Sequence, residues 1–86
     1  MVKTGADTHL IVCNPRVQGG EPVIRGTRVP VRSIVIASEE YAGDLARVGH
    51  AFSVDVAAVR AALTYYEQHR AEIDQIVKRH ERAALT

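Results

Sequence analysis

Residues 20–30, GEPVIRGTRVP, cannot form a helix, and they therefore divide the chain into two structurally different parts. Pro22 and Pro30 lack the amide hydrogen that a helix interior needs, and Gly26 adds backbone freedom between them. No proline follows Pro30 and no glycine follows Gly49. The sequence predicts a mainly α protein in which a short N-terminal β arm precedes a helical remainder.

Two short apolar runs make up the arm. Residues 9–13 (HLIVC) end at the turn signal Asn14-Pro15, and residues 23–31 are extended with a turn or bulge near Gly26. We therefore expect a loose hairpin. Because an isolated hairpin is barely stable in water and prolines restrict strands to sheet edges, the arm must rest on the helices or pair with another chain. Residues 1–8 are small and polar, and we expect them to be a flexible N-terminus.

The length of 86 residues is enough for one small domain, whose core alone provides a few kcal/mol of net stability. Cys13 is the only cysteine, which excludes an intrachain disulfide and leaves a thiolate zinc site unsupported. Oligomerisation is the remaining way to stabilise a domain with so small a core, and we expect a homodimer. The sequence shows no secretory signal and no apolar run of membrane-spanning length, so we expect a cytoplasmic protein without membrane partners.

The helical part begins after Pro30. Residues 31–41 contain no helix breaker and predict a first helix that ends at Ala42-Gly43. Asp44 can cap a short second helix. We expect that helix to stop at Gly49, a residue well suited to the left-handed position that follows a helix.

The third helix is the best-marked element of the chain. Ser53 is a good N-cap, and Asp55 would lie in the first turn, near the positive end of the helix dipole. An apolar stripe then follows at helical spacing, formed by Val56, Val59, Leu63 and Tyr66. Helical propensity continues to the end of the chain, as one long helix or as two abutting helices.

A short helix, a glycine-containing turn and a capped longer helix outline a helix-turn-helix, although small helical bundles share this pattern. The outward positions of the third helix that could face DNA are Ser53, Ala57, Arg60 and Thr64. Only Arg60 among them is basic, and Asp55 offsets its charge. Phosphate contacts from Arg25, Arg28 and Arg32 of the arm could supply the missing charge, or these arginines could simply solvate an edge strand.

The C-terminal segment, residues 67–86, is highly charged and carries a thin apolar seam. One interpretation is a solvated helix, and the other is a helix whose seam lies in a groove of a partner protein. We favour the partner because the seam is too thin to fold well alone. The candidate partner-binding residues are Ile73, Ile76, Val77 and His80.

Two stretches resemble a small bacterial family known as domain of unknown function 433. Asn14-Pro15 and the string Gly19-Gly20-x-Pro22-x-Ile24-x-Gly26-Thr27-Arg28-Val29-Pro30-Val31 are similar to its signature, and residues 53–66 are similar to its third-helix pattern. The resemblance implies a homeodomain-like or winged helix-turn-helix three-helix core behind a β arm, within residues 9–66.

The same resemblance implies a function. Members are often thought to be antitoxins of type II toxin–antitoxin pairs, encoded beside a PIN-type nuclease-like toxin. Such an antitoxin binds double-stranded DNA at its own promoter and neutralises the cognate toxin with another segment, here residues 67–86. The alternative is a protein-interaction module, a dimeric scaffold without physiological DNA binding.

Enzymatic and metal chemistry find no support in the residue pattern. His69 and His80 are eleven residues apart, which places them about 16 Å apart along a helix, too far to bind one ion. Gly19-Gly20 is followed by Glu21-Pro22 rather than by a lysine and a helix, so it is not a phosphate loop. We predict no enzyme, no metal site and no cofactor.

Overall fold

The computed structural model describes residues 7–85 and shows, within them, an antiparallel hairpin followed by four α-helices. The hairpin consists of β1 (Ile11–Cys13) and β2 (Pro22–Ile24). The helices are α1 (Val31–Glu40), α2 (Leu45–Phe52), α3 (Val56–Gln68) and α4 (Arg70–Leu85). The prediction of a mainly helical protein with a short N-terminal β arm is confirmed.

The flexible N-terminus predicted for residues 1–8 lies outside the described residues, apart from its last two. These two belong to a 3-10 turn, Asp7–Leu10, that leads into β1 and packs against α3.

The hairpin rests on the helices of its own chain. Ile11 lies opposite Ile24 and Cys13 lies opposite Pro22, and all three residues of β2 are buried. Strand β2 packs against α1 and α3, and Val23 forms an additional bridge with Pro30. The sequence left open whether the arm rests on the helices or pairs with another chain, and the structure shows that it rests on the helices.

The boundaries predicted for α1 and for the start of α2 are confirmed. Helix α1 begins directly after Pro30 and ends where Ala42 (φ +53°) and Gly43 (φ +80°) adopt left-handed conformations. Asp44 then caps α2, because its Oδ1 accepts a hydrogen bond of 3.2 Å from the amide of Arg47.

The predicted boundary between α2 and α3 is wrong. Helix α2 does not stop at Gly49 but continues to Phe52, and Ser53 (φ +59°) is its left-handed C-cap rather than the N-cap of α3. The N-cap of α3 is Asp55, whose Oδ1 accepts a 3.0 Å hydrogen bond from the amide of Ala58.

Close backbone packing explains the glycine at position 49. Gly49 is buried inside α2, and a Cβ atom there would lie 2.6 Å from the carbonyl oxygen of Val54. The glycine therefore permits the chain after α2 to return tightly across the helix. The sequence predicted that this glycine forms a left-handed turn at the end of α2, and the structure does not require it for that purpose.

The buried face of α3 is also rotated from the predicted stripe. Its buried residues are Ala58, Val59, Ala61 and Ala62. Within the predicted stripe, Val59 is buried, whereas Val56, Leu63 and Tyr66 are only half-buried. Because alanine side chains are small, the face of α3 that carries them can lie close to α1 and the hairpin. This close packing is favoured over full burial of the larger valine and leucine side chains.

The C-terminal residues form a separate helix that folds back onto the domain. The chain leaves helical geometry at His69 (φ −133°, ψ 39°), so α3 and α4 are two abutting helices. Ile73 is fully buried and Ile76 is 6 % exposed, both in the core that α1 and α3 share. The seam therefore packs on its own domain, where the sequence had favoured a groove of a partner protein.

No helix among the described residues is both long enough and apolar enough to cross a bilayer.

Candidate nucleic-acid interface

A shallow cleft of about 340 Å³ separates the arm from the start of α3. Its walls come from the 3-10 turn and hairpin on one side, and from the α2–α3 connection with the first turn of α3 on the other. The lining residues are Leu10, Ile24, Arg25, Thr27, Ser53, Val54, Asp55, Ala57 and Ala58. The arm therefore lies beside the N-terminal end of α3, as required if its arginines are to act together with that helix.

Arg25 is held in place by the backbone of the arm. Its Nε and Nη2 atoms donate hydrogen bonds of 3.1 and 2.6 Å to the carbonyl oxygen of His9, and its amide donates to the carbonyl of Leu10 (2.7 Å). The side chain nevertheless remains exposed. This geometry presents a positioned positive charge at the rim of the cleft.

Thr27 shapes the turn that carries Arg25, and the sequence analysis missed this role. Its Oγ1 donates to the carbonyl of Ile24 (2.8 Å) and accepts from the amide of Val29 (3.0 Å). Gly26 adopts the left-handed conformation (φ +79°) that the turn needs. A hydroxyl residue directly after a turn glycine is the sequence signal that could have indicated this role of Thr27.

Three of the predicted DNA-binding residues come together at the cleft. Arg25, Ser53 and Ala57 line it, and all three are exposed. Arg60 is exposed farther along α3, and Thr64 is half-buried, so neither residue belongs to the cleft.

Arg28 is exposed on the same turn as Arg25. Its carbonyl oxygen accepts a 3.2 Å hydrogen bond from Nε2 of Gln18, which links this turn to the loop between the strands.

Arg32 is not part of this cleft. Its Nε donates to both carboxylate oxygens of Glu21, at 2.9 and 3.2 Å, and the Glu21 side chain is only 9 % exposed. His80 of α4 also approaches this carboxylate, with Nε2 3.5 Å from Oε2. Because a nearly buried carboxylate needs a cationic partner, Arg32 is committed to the interior rather than available to phosphates. The ion pair with Glu21 speaks against the phosphate contact predicted for Arg32.

A second cleft, of about 420 Å³, lies between the 3-10 turn Gln18–Gly20 and α4. Glu21 and Pro22 contribute from the hairpin side, and Arg79 and His80 contribute from α4. This cleft could not be predicted from the sequence, because its two walls are at least fifty residues apart in the chain.

Two tyrosines near the α3–α4 junction have shifted pKa values. Burial, and more weakly the charge of Glu72, raises the pKa of Tyr65 from 10.0 to about 12. The hydroxyl of Tyr66 donates to Asp74 (2.9 Å), and this hydrogen bond raises the pKa of Tyr66. Like unperturbed tyrosines, both phenols are protonated at neutral pH, and the raised pKa values extend this state to higher pH.

Within the described part of the chain, no cluster of three or more histidine, cysteine, aspartate or glutamate residues could hold a metal ion. The arrangement is that of a small helical domain with a cationic arm placed against a helix N-terminus.

The chain belongs to the family described as protein of unknown function (DUF433), whose family pattern matches residues 11–66. The match covers the hairpin, α1, α2 and most of α3, and it ends before α4. Neither a curated protein nor a solved structure matches the chain.

Proposed function

We propose that this protein is a DNA-binding antitoxin of a type II toxin–antitoxin pair, which represses its own promoter and neutralises a PIN-type nuclease-like toxin. The α2–α3 unit supports the first part of this proposal. Helix α2 of eight residues is joined to α3 of thirteen residues through residues 53–55. A helix-turn-helix has a connection of this length, and its second helix enters the major groove of DNA.

One observation carries the proposal: the cleft that brings Arg25 of the arm beside Ser53 and Ala57 of the α2–α3 unit. In a helix-turn-helix, the N-terminal residues of the second helix contact base edges. Arg25 would contact a flanking phosphate, and the hydroxyl of Ser53 would bond the backbone or a base edge. Ala57, with its small side chain, would allow close approach of α3 to the groove.

Arg60 extends this surface along α3. It lies three residues after Ala57 and therefore on the same side of the helix, where an arginine can bind guanine through two hydrogen bonds. Thr64 lies one further turn along and is half-buried. A homodimer would present two copies of α3 to half-sites about one helical turn, roughly 34 Å, apart.

Toxin neutralisation is proposed for residues 67–86 and rests on the family resemblance. Because Ile73 and Ile76 pack into the domain core, the accessible members of the predicted set are Val77, which is half-buried, and His80, which is exposed. The toxin would therefore contact the edge of α4 that carries these two residues.

The test is a fluorescence-anisotropy titration of the purified protein against its own upstream duplex and a scrambled duplex. A repressor should prefer the upstream duplex by at least about 10³-fold. The variant Arg25→Ala/Arg28→Ala should weaken binding to both duplexes and reduce the salt dependence by roughly 0.9 per lost phosphate contact. Equal affinity of the wild-type protein for the two duplexes would overturn autorepression.

One observation favours the alternative, a protein-interaction module that does not bind DNA in the cell. Ile36 of α1 is 41 % exposed, and the acidic residues Glu39 and Glu40 follow it on the same helix. In a protein interface this isoleucine would lie at the apolar centre and the two acidic residues on the polar rim. Light scattering of wild-type protein and of Ile36→Asp distinguishes this alternative: a dimer that the substitution dissociates, together with no sequence preference for DNA, would support it.

A further inference from the structure

The outward face of α4 is basic. Lys78, Arg79 and Arg82 are exposed and, with Gln75, line a cleft of about 340 Å³ on this helix. Positions 75, 78, 79 and 82 share one side of a helix, opposite the side that buries Ile73 and Ile76. The apolar side of α4 is turned inward, and the strip of the helix opposite it carries these three cations.

This face connects to the arm. Arg79 also lines the cleft between the 3-10 turn and α4, together with Gln18, and the side chain of Gln18 donates to the carbonyl of Arg28. Arg28 and Arg25 lie on the turn that borders the start of α3. We call Arg28, Lys78, Arg79 and Arg82 the basic band. The cleft between the arm and α4 is also lined by Glu21, whose carboxylate is bonded to Arg32, and by Glu72.

We propose that the basic band binds the sugar–phosphate backbone of duplex DNA, alongside the contacts made by the N-terminal end of α3. This inference deepens the proposed DNA binding and rests on it. It also explains how α3, whose basic residue is Arg60, can belong to a DNA-binding protein. Phosphate neutralisation by lysine and arginine supplies the sequence-independent part of the affinity, and the basic band provides those side chains.

The chemistry of the band favours nucleic acid over protein. Protein interfaces have apolar or aromatic residues at their centre, whereas DNA interfaces are more polar and strongly positive. Among the described side chains, the exposed large hydrophobic residue is Ile36, which lies on α1 and not in the band. Three exposed carboxylates share α4 with the band: Glu72, which lies 3.3 Å from Nδ1 of His69, Asp74, which accepts a 2.9 Å hydrogen bond from Tyr66, and Glu81.

The test measures binding of the full-length protein to a scrambled duplex, which requires no operator. The band variant is Lys78→Gln/Arg79→Gln. The control, Arg47→Gln/Arg70→Gln, removes the same net charge elsewhere, where the two guanidinium groups lie 4.8 and 5.1 Å from the rings of Tyr41 and Tyr66. All four positions are exposed, so both variants should keep the wild-type circular dichroism spectrum.

The band variant should bind the scrambled duplex at least about tenfold more weakly at about 100 mM salt. The slope of log affinity against log salt should fall by roughly 1.8, which corresponds to two lost phosphate contacts. The control should change the affinity by less than about twofold, because long-range charge effects are screened at this salt concentration.

Three outcomes would overturn the inference: equal losses in the band and control variants, an unchanged salt slope in the band variant, or no binding of wild-type protein at low salt. An unchanged affinity for DNA combined with weakened binding to an acidic protein partner would assign the band to that partner instead. The upstream duplex separates the two proposals. If the wild-type protein shows no preference for the upstream duplex while the band variant still loses affinity, the proposal of autorepression is overturned. The proposal that the basic band binds the DNA backbone is then supported.

Discussion

The α2–α3 unit and α4 are attached to the same domain by different means. The α2–α3 unit is held by contacts that are local in sequence: Gly49 lets the backbone at Val54 approach closely, and Asp55 caps the helix that follows. Helix α4 is held by residues distant in sequence, through burial of Ile73 and through the approach of His80 to Glu21. The proposed DNA-reading unit is therefore built from local contacts, whereas the placement of the basic band depends on the whole domain.

The largest effect is expected from Ile73→Ala in α4. Ile73 is fully buried, and removing its side chain should leave a cavity and lower the free energy of unfolding by about 2–5 kcal/mol. Urea unfolding followed by circular dichroism measures this loss. Val77→Ala is the control, since Val77 is half-buried and should cost clearly less. Equal stability of Ile73→Ala and the wild-type protein would mean that α4 is not docked in solution.

A somewhat smaller effect is expected from Gly49→Ala in the α2–α3 unit. The new Cβ would lie 2.6 Å from a backbone oxygen that cannot rotate away, so stability should fall by about 1–3 kcal/mol. The matched variant is Gly43→Ala, where no atom lies within 4 Å of the new Cβ and the penalty comes from φ +80° alone, about 1 kcal/mol. If Gly43→Ala proves the more destabilising of the two, the close approach at Val54 is not tight in solution.

The Glu21 cluster tests the polar part of the α4 attachment. Glu21→Gln removes the negative charge beside Arg32 and His80, and it should lower the free energy of unfolding by about 1–2 kcal/mol, the difference between a hydrogen bond to a charged group and one to a neutral group. Thermal unfolding at neutral pH provides the measurement. Glu39→Gln on the exposed side of α1 should have almost no effect. An equal change in stability for both variants would mean that the Glu21 cluster does not help to hold α4 on the domain.

The smallest effect concerns the junction between the two regions. The pKa of Tyr65 is about 12 in the folded protein and 10.0 in an unfolded chain, so the folded state favours the neutral phenol. This contribution to stability is complete below pH 10 and is lost as the pH rises from 10 to 12. Phenolate absorbance should show a step near pH 12 that Tyr65→Phe removes. A step at pH 10 for Tyr65 would contradict its burial at the α3–α4 junction.

The candidate site could be anticipated in part. Arg25, Ser53 and Ala57 were predicted from charge and helix register, and the structure brings them to one cleft. Arg32 was predicted by the same charge argument and is instead bonded to Glu21. Charge alone cannot distinguish these arginines, because the difference depends on which carboxylate the folded chain places nearby.

The features that depend on neighbours in the chain could be predicted from the sequence. The prolines excluded an α-helix within residues 20–30, Ala42-Gly43 ended α1, and Asp44 capped α2, because turns and caps involve backbone groups only a few residues away. That Gly49 serves close packing and that Ile73 belongs to the core became visible in the folded domain. These outcomes depend on surfaces contributed by separate elements, and no local pattern records which surfaces will meet.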